Sequence, residues 1–262
     1  MTHPLRFVAL SSIVLAIACV SYEPLVPGDA RLSLDEALAE LDVPAIRLAQ
    51  GAFTTLGPPP PPVPSACPFQ VASETFVCAP IVAAGLTLSQ SFTLISATGA
   101  KQATFDKATT SWLRMSATIS GTRENEFSTT TVDGEQELTL TGLLTDRHTI
   151  NGSSSTRLAR VEEGSSSAEP VLTTVTTKLK NVVLPLVPSG APVAWPLSGS
   201  MELLNTTFAD YPPPLPGPGP VVSGVVVVFT GTSIVEVALT SRGGTIACHV
   251  NMAIVESVGC QR

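Results

Sequence analysis

Few side chains in this sequence could do acid–base or metal chemistry. Two of the three histidines, His148 and His249, lie well inside the chain and could form a metal pair or supply a general base. His148 ends the polar, turn-like stretch Thr145–His148, and His249 follows Cys248. In these surroundings we expect both imidazoles to be solvated at the surface.

The carboxylates occur in two close pairs. Glu135 and Glu137 would share one face of a strand, and Glu162 and Glu163 are adjacent. Glycoside hydrolysis needs two convergent carboxyl groups, but solvation of an exposed strand explains these pairs more simply. The sequence also lacks the G-x-S-x-G elbow, the H-E-x-x-H helix, the P-loop and the EF-hand loop. We therefore expect a protein that is not an enzyme and has no catalytic residues, no cofactor and no metal site.

The start of the chain is typical of an export signal. One cation, Arg6, precedes the apolar run Phe7–Ala18. A helix of this length would rise about 18 Å, which is too short for a hydrocarbon core of about 30 Å. We therefore interpret residues 1–18 as a secretory signal peptide rather than a membrane span.

The end of this apolar run resembles a bacterial lipobox. In Leu15-Ala16-Ile17-Ala18-Cys19, small residues precede a cysteine. The resemblance to exported bacterial lipoproteins implies a diacylglyceryl thioether on Cys19 and a further acyl chain on the new amine. Two or more acyl chains anchor a protein stably to a membrane. Ala16-Ile17-Ala18 also satisfies the A-x-A rule of the ordinary signal peptidase at the same bond, which leaves plain secretion as the alternative.

Lipidation would account for the odd number of cysteines, which is five. With Cys19 acylated, the other four form two close pairs, Cys67/Cys78 and Cys248/Cys260. An oxidising compartment favours disulfides, and each short loop would stabilise the fold by about 2–3 kcal/mol in the chain-entropy description. Neither pair has the spacing of a zinc site. We favour the sequential connectivity, with a disulfide-clamped hairpin between Cys67 and Cys78.

Charge and composition narrow the class of protein further. Only 13% of the residues are charged, and the mean hydropathy of +0.34 argues against disorder over the whole length. The net charge of −7 argues against nucleic acid as a partner, because phosphates are bound by a basic patch. The 23 prolines and 19 glycines are typical of many strands and turns rather than of long helices.

Residues 19–64 have the composition of a tether. Ser33 and Glu36 make a capping box in the short amphipathic segment Leu32–Leu41, which predicts a helix. Gly57–Pro64 is a proline run, and such runs extend stiffly as polyproline II. We expect this segment to hold the rest of the chain away from the membrane.

Residues 65–262 predict one all-β domain. Apolar and polar residues alternate in three segments, Trp112–Ile119, Val171–Lys180 and Ser233–Thr240. This alternation is typical of an antiparallel sheet with one solvated face. Val225–Phe229 is apolar at every position, which predicts a central strand buried on both faces. Turn signals occur at Asp133-Gly134 and Arg242–Gly244, and the prolines of Tyr211–Pro220 predict an exposed loop.

A weak repeat of an apolar residue, a polar residue and a glycine runs through this domain. Its copies end at Gly121, Gly142, Gly152, Gly199 and Gly224. A glycine within a strand marks a bulge, a bend or a close approach of two backbones. The sequence therefore predicts an antiparallel meander of long strands that forms a curved sheet, a sandwich or a half-barrel.

Two functions of different classes fit these features. The first is a non-enzymatic lipoprotein of the bacterial cell envelope, exported and anchored through Cys19, with a β-rich binding or structural module. The second is a carrier of a lipidic or apolar ligand, because a curved sheet with an apolar concave face can hold acyl chains. The expected partners are membrane lipid at the anchor and either an envelope protein or an apolar ligand. The lipoprotein resemblance covers residues 1–19 only, and the body of the chain resembles no family of known function.

Overall fold

The part of the chain that the structure describes is all β. A computed structural model describes residues 67–83, 85–124, 128–162, 171–185, 195–208, 221–241, 244–251, 253 and 256–261. Within these ranges there is no helix, and so none that could cross a bilayer. The predicted signal peptide, tether helix and proline run lie outside the described residues, as does the predicted loop Tyr211–Pro220.

Fourteen strands of the described residues form one antiparallel sheet. They are β1 (Phe69–Gln70), β2 (Thr75–Val77), β3 (Ile81–Ala83), β4 (Leu86–Ser96), β5 (Lys101–Gln102), β6 (Thr110–Glu124), β7 (Ser128–Thr141), β8 (Arg147–Glu162), β9 (Val171–Pro185), β10 (Ser198–Phe208), β11 (Val221–Val228), β12 (Ile234–Ser241), β13 (Gly244–Asn251) and β14 (Glu256–Gln261). From β6 to β14 each strand pairs with the next one in the chain, while β4 pairs with β6 and with the short strands β2, β3 and β5. The sheet is curved and not closed, so the predicted meander is confirmed.

The buried apolar side chains lie mainly on one face of the sheet, which also carries polar residues such as Gln136, Ser154 and Thr177. We define the inner face by Val225, which lies opposite Leu203 in β10 and Leu239 in β12. The buried apolar side chains on this face are Leu86, Leu88, Leu94, Ala117, Ile119, Val132, Ile150, Val175, Val182, Met201, Val225, Val227, Val235, Val237, Leu239, Cys248 and Val250. They form most of the core, because the alternation along each strand places its apolar residues on the same side.

The opposite, outer face is polar over the first half of the sheet. Its residues in β4 and β6–β9 include Thr87, Ser89, Ser91, Ser116, Thr118, Ser120, Thr131, Glu135, Glu137, Thr139, Ser153, Ser155, Thr174, Thr176 and Lys178. The predicted alternation in Trp112–Ile119 is confirmed, since Met115 and Ile119 lie on the inner face and Arg114 on the outer face. Over its first half the sheet therefore has one solvated face, as the sequence predicted.

A small aromatic core closes the first edge of the sheet. Phe76 stacks on Phe92 with ring centroids 4.9 Å apart, and its ring lies 5.1 Å from that of Phe69. The Cys67–Cys78 disulfide joins the two ends of this hairpin. The disulfide and the pairing of β1 with β2 confirm the predicted clamped hairpin. Cys67 and Phe76 are both buried.

Glycines on the inner face let the sheet bend. Gly199 has a φ of +105°, and a β carbon there would clash with the carbonyl oxygen of Asn181 and lie 2.5 Å from Cα of Val182. Asn181 stands where the pairing of β9 with its neighbours shifts register, and its N–H donates to Oδ1 of Asn151 at 2.8 Å. Gly121, with a φ of +142°, is packed against backbone in the same way. Without a side chain at these points the neighbouring backbones approach on the inner side, which curves the sheet around it.

The turn predicted at Asp133-Gly134 is wrong. Both residues lie within β7, and Gly134 faces inward between Ile119 in β6 and Thr156 in β8. A β carbon on Gly134 would lie 2.8 Å from Oγ1 of Thr156 and 3.0 Å from Cγ2 of Ile119. The glycine makes room between two neighbouring side chains rather than turning the chain.

The prediction that Val225–Phe229 is buried on both faces is also wrong. Its strand, β11, is central in pairing, because it lies between β10 and β12. Val225 and Val227 point inward and are 3% exposed, but Val228 points outward and is 40% exposed. The outer face of this strand is therefore apolar and exposed to solvent.

Replacing Gly199 by alanine should destabilise the fold, because the new β carbon meets the backbone of Asn181 and Val182 at a positive φ. We expect Gly199→Ala to lower the free energy of unfolding by at least about 2 kcal/mol in urea denaturation. Gly224→Ala is the matched control: Gly224 also lies within a strand, but its nearest neighbour would be 3.7 Å from the β carbon and it has no strained φ. Equal effects of the two substitutions would contradict this account of the bend.

Candidate functional site

The two candidate histidines do not come together. His148 lies near the start of β8 on the inner face, opposite Leu184. His249 lies in β13 on the outer face, opposite Glu236, and is exposed. Four strands separate β8 from β13 in the sheet. These positions exclude a metal site shared by the two histidines. The ranges that the structure describes contain no cluster of three or more metal-ligating side chains.

The expectation of a solvated His148 is wrong. Thr145 closes the preceding turn: its hydroxyl donates to the carbonyl oxygen of Arg147 at 2.6 Å, and the carbonyl oxygen of Gly142 lies 2.9 Å from the same hydroxyl. Arg147 is then the first residue of β8 and points outward, so His148 takes the next position and points inward. Its side chain is buried, and this desolvation lowers the pKa of His148 below its usual value. The prediction for His249 is confirmed, because that side chain is exposed.

The burial of His148 should make the fold sensitive to acid. In the unfolded chain the imidazole has a pKa of about 6.5, and in the fold the pKa of His148 is lower. The unfolded state therefore binds the proton first, and stability falls as the pH drops below about 6.5 toward the folded-state pKa. Urea denaturation at about pH 8 and about pH 5 should show this loss.

Matched variants isolate the contribution of this histidine. His148→Leu should reduce the difference in stability between the two pH values, because leucine fits an apolar face and does not titrate. His249→Gln replaces the exposed histidine of the outer face and is the comparison: the reduction should be larger for the buried His148. If His148→Leu keeps the full pH dependence, other groups cause it and the assignment is wrong.

The acid pair of β7 is a surface feature. Glu135 and Glu137 share the outer face, as predicted, and both are exposed. Nη2 of Arg114 donates to both carboxylate oxygens of Glu137, at 3.0 and 2.9 Å. With the two side chains 55% and 60% exposed, such a pair contributes about 0–1 kcal/mol. Glu163 and the side chain of Glu162 lie outside the described residues.

The described cysteines Cys67, Cys78 and Cys248 are disulfide-bonded. Cys67 and Cys78 form a disulfide. Cys248 is also disulfide-bonded and buried, and Cys260 lies directly opposite it in the register of β13 and β14. The Cys248–Cys260 connectivity stays a prediction that this register supports. Cys19, the predicted lipidation site, lies outside the described residues.

The inner face is a candidate surface for an apolar ligand. Four of its leucines in the middle of the sheet are only partly buried: Leu138, Leu158, Leu179 and Leu203. They come from the adjacent strands β7, β8, β9 and β10. These leucines offer apolar contacts of the kind that line binding sites for apolar molecules, and polar residues such as Gln136, Ser154 and Thr177 lie between them on the same face.

A second candidate surface lies on the outer face of β10–β12, and sequence reasoning missed it. The outer apolar patch, as we call it, consists of Leu204, Val222, Val226, Val228, Ile234 and Ala238. Leu204, Val222, Val228 and Ile234 are all exposed. The signal was present in the sequence, because a run such as Val225–Phe229 has apolar residues at outward positions as well as inward ones.

The described side chains thus offer two apolar surfaces and a Ser/Thr-rich one. Comparisons with family models, with curated proteins and with solved structures found no match for this chain.

Proposed function

We propose that this protein is a non-enzymatic lipoprotein of the cell envelope, exported by its first 18 residues and anchored through Cys19. Its β domain is a binding or structural module that works through the faces of one curved sheet. Contacts with lipid at the acyl anchor and with an envelope protein are the interactions that this role requires.

The observation that carries the proposal is that the candidate catalytic side chains lie far from one another, while the sheet presents extended faces. The side chains that could catalyse are apart: His148 is buried on one face, His249 is exposed on the other, and Glu137 is paired with Arg114. The two extended faces of the sheet are then the features that could act, and extended sheet surfaces are suited to binding. The Cys67–Cys78 disulfide supports export, because disulfides persist in oxidising compartments.

The anchor is tested at Cys19. The full chain produced in a bacterium should be found in the membrane fraction, and mass spectrometry should show a thioether-linked diacylglycerol on an N-terminal Cys19. Cys19→Ala should move the protein to the soluble exported fraction, because Ala16-Ile17-Ala18 still directs ordinary cleavage at the same bond. Removal of a stable two- or three-chain anchor should shift nearly all of the protein.

Cys78→Ser, combined with Cys67→Ser, is the control for this experiment. It also removes cysteines, but it should leave the protein in the membrane fraction. An unmodified Cys19 at the N-terminus would contradict the lipoprotein proposal and leave plain secretion. Recovery from the cytosol with the leader uncut would contradict export itself.

A second candidate function is transport of a lipidic ligand on the inner face. Two observations favour it: the sheet is not closed, and Leu138, Leu158, Leu179 and Leu203 are only partly buried on its inner side. An open curved sheet can admit an acyl chain along its concave face, where apolar contacts replace water.

Native mass spectrometry of the gently purified full chain tests this candidate. A carrier should retain a lipid mass beyond that of its own anchor, and Leu158→Gln should lower the bound fraction several-fold. Leu204→Gln places the same change on the outer face, where Leu204 is exposed, and should have no effect. If no lipid is retained and a fluorescent fatty acid does not bind, the carrier function is wrong.

A further inference from the structure

The ionisable side chains are divided unevenly between the two faces of the sheet. Along β4 and β6–β13, the described ionisable side chains that point inward are Arg123, Arg160 and the buried His148. The described carboxylates of these strands all lie on the outer face: Glu124, Asp133, Glu135, Glu137, Glu202 and Glu236. Among the described side chains, the inner face therefore carries positive charge and no carboxylate.

The two inward arginines lie in one row across the sheet. Arg123 in β6 is opposite Thr130 in β7, and Thr130 is opposite Arg160 in β8, so a hydroxyl group stands between the two arginines. Their Cα atoms are two strand spacings apart, which is about 10 Å. Both long side chains can therefore reach one anion above Thr130, and the guanidinium group is suited to bidentate contact with a carboxylate or a phosphate.

The arginines can bind a ligand without giving up their contacts in the fold. Both interact with other groups of the protein, and each guanidinium group has five N–H donors to share among its partners. Glu162 occupies the next register position beyond Arg160, opposite Ser128. With that residue counted, the inward positions of these two rows hold two arginines and one glutamate.

An apolar surface adjoins the arginine row on the inner face. The next row contains Val132 in β7 and Leu158 in β8, which lie opposite each other. Leu158 is partly exposed and packs against the buried cluster of Leu86, Leu88, Ala117, Ile119 and Val132. The cationic row and the apolar cluster are thus neighbours on one face, which is the arrangement that an amphipathic molecule requires.

We infer that the inner face binds an amphipathic molecule with an anionic head, either a long-chain carboxylate or a long-chain phosphate ester. Its head lies between Arg123 and Arg160, and its chain begins on Leu158. This inference rests on the second candidate function, a carrier of a lipidic ligand, and it names the class of ligand and the end of the sheet that holds its head. Both arginines are only partly exposed, so solvent ions screen their attraction for the head less than at an exposed site.

The test compares two probes that differ only in charge. Binding is measured with the full chain carrying Cys19→Ala, so that no acyl anchor competes for the inner face. The probes are a fluorescent analogue of palmitate and its methyl ester, used at about pH 8, where the carboxyl group is ionised. We expect the carboxylate to bind at least about tenfold more tightly than the ester, because only the carboxylate accepts charge-assisted hydrogen bonds from the arginines.

The arginine variants locate the head. Arg123→Gln and Arg160→Gln should each raise the dissociation constant of the carboxylate by about tenfold, and should change that of the ester much less. Arg157→Gln is the matched control, because Arg157 lies in β8 as Arg160 does but is exposed on the outer face. It should leave the binding of both probes unchanged. Unlabelled palmitate and hexadecyl phosphate, used as competitors, show which anionic head the site prefers.

A salt series on the chain with wild-type arginines gives a measurement that does not depend on the folding of the arginine variants. The affinity for the carboxylate should fall as the salt concentration rises, and the affinity for the ester should not. Circular dichroism of each variant confirms that it is folded.

The possible results distinguish this inference from the carrier function on which it rests. A preference for the carboxylate that falls with salt, is lost in both inner-face variants and is kept in Arg157→Gln supports the inference. If both probes bind equally well, whatever the salt concentration and the residues at 123 and 160, the carrier function stands and the inference is wrong. A preference that Arg157→Gln weakens as much as Arg160→Gln reflects general attraction and also contradicts the inference. If neither probe binds, the carrier function itself is wrong, and the inference with it.

Discussion

The whole structure depends on burying one face of a single long sheet. A sheet of this width can hide an apolar face only by packing it against another layer or by curving around it. In this protein the inner-face glycines allow curvature, because Gly199 and Gly121 sit where any side chain would strike the neighbouring backbone. The side-chain alternation supplies the apolar face, and the missing β carbons let it bend inward.

That arrangement separates the protein's surfaces by role. The inner face holds the core, with partly buried leucines such as Leu158 where the core gives way to an accessible surface. The outer face is largely Ser/Thr-rich, with surface ion pairs such as Arg114–Glu137. The same separation places His148 and His249 on opposite faces, with four strands between theirs.

The alternation of apolar and polar residues predicts which segments form strands, but it does not predict what covers each face of a strand. Alternation in segments such as Trp112–Ile119 predicted strands and their faces, because that pattern follows from the geometry of one strand. Val225–Phe229 was misjudged, because an apolar run does not show which of its faces a neighbour covers. His148 was misjudged because a turn that ends one residue earlier or later reverses which face a side chain takes. Asp133-Gly134 is a common turn sequence, but here the glycine lies within a strand, because a β carbon at Gly134 would be too close to Ile119 and Thr156.

An open sheet has two edge strands, and a long, unpaired edge strand could pair with a strand of another chain. On the side away from β6, β4 is paired only with strands of two or three residues, one of them in the hairpin that the Cys67–Cys78 disulfide closes. At the other edge the pairing of β13 with β14 shifts register next to His249. Short, interrupted edges resist strand-to-strand association. Both ends of the sheet are therefore interrupted, by short strands at one end and by a shift of register at the other, and this disfavours association through the edges.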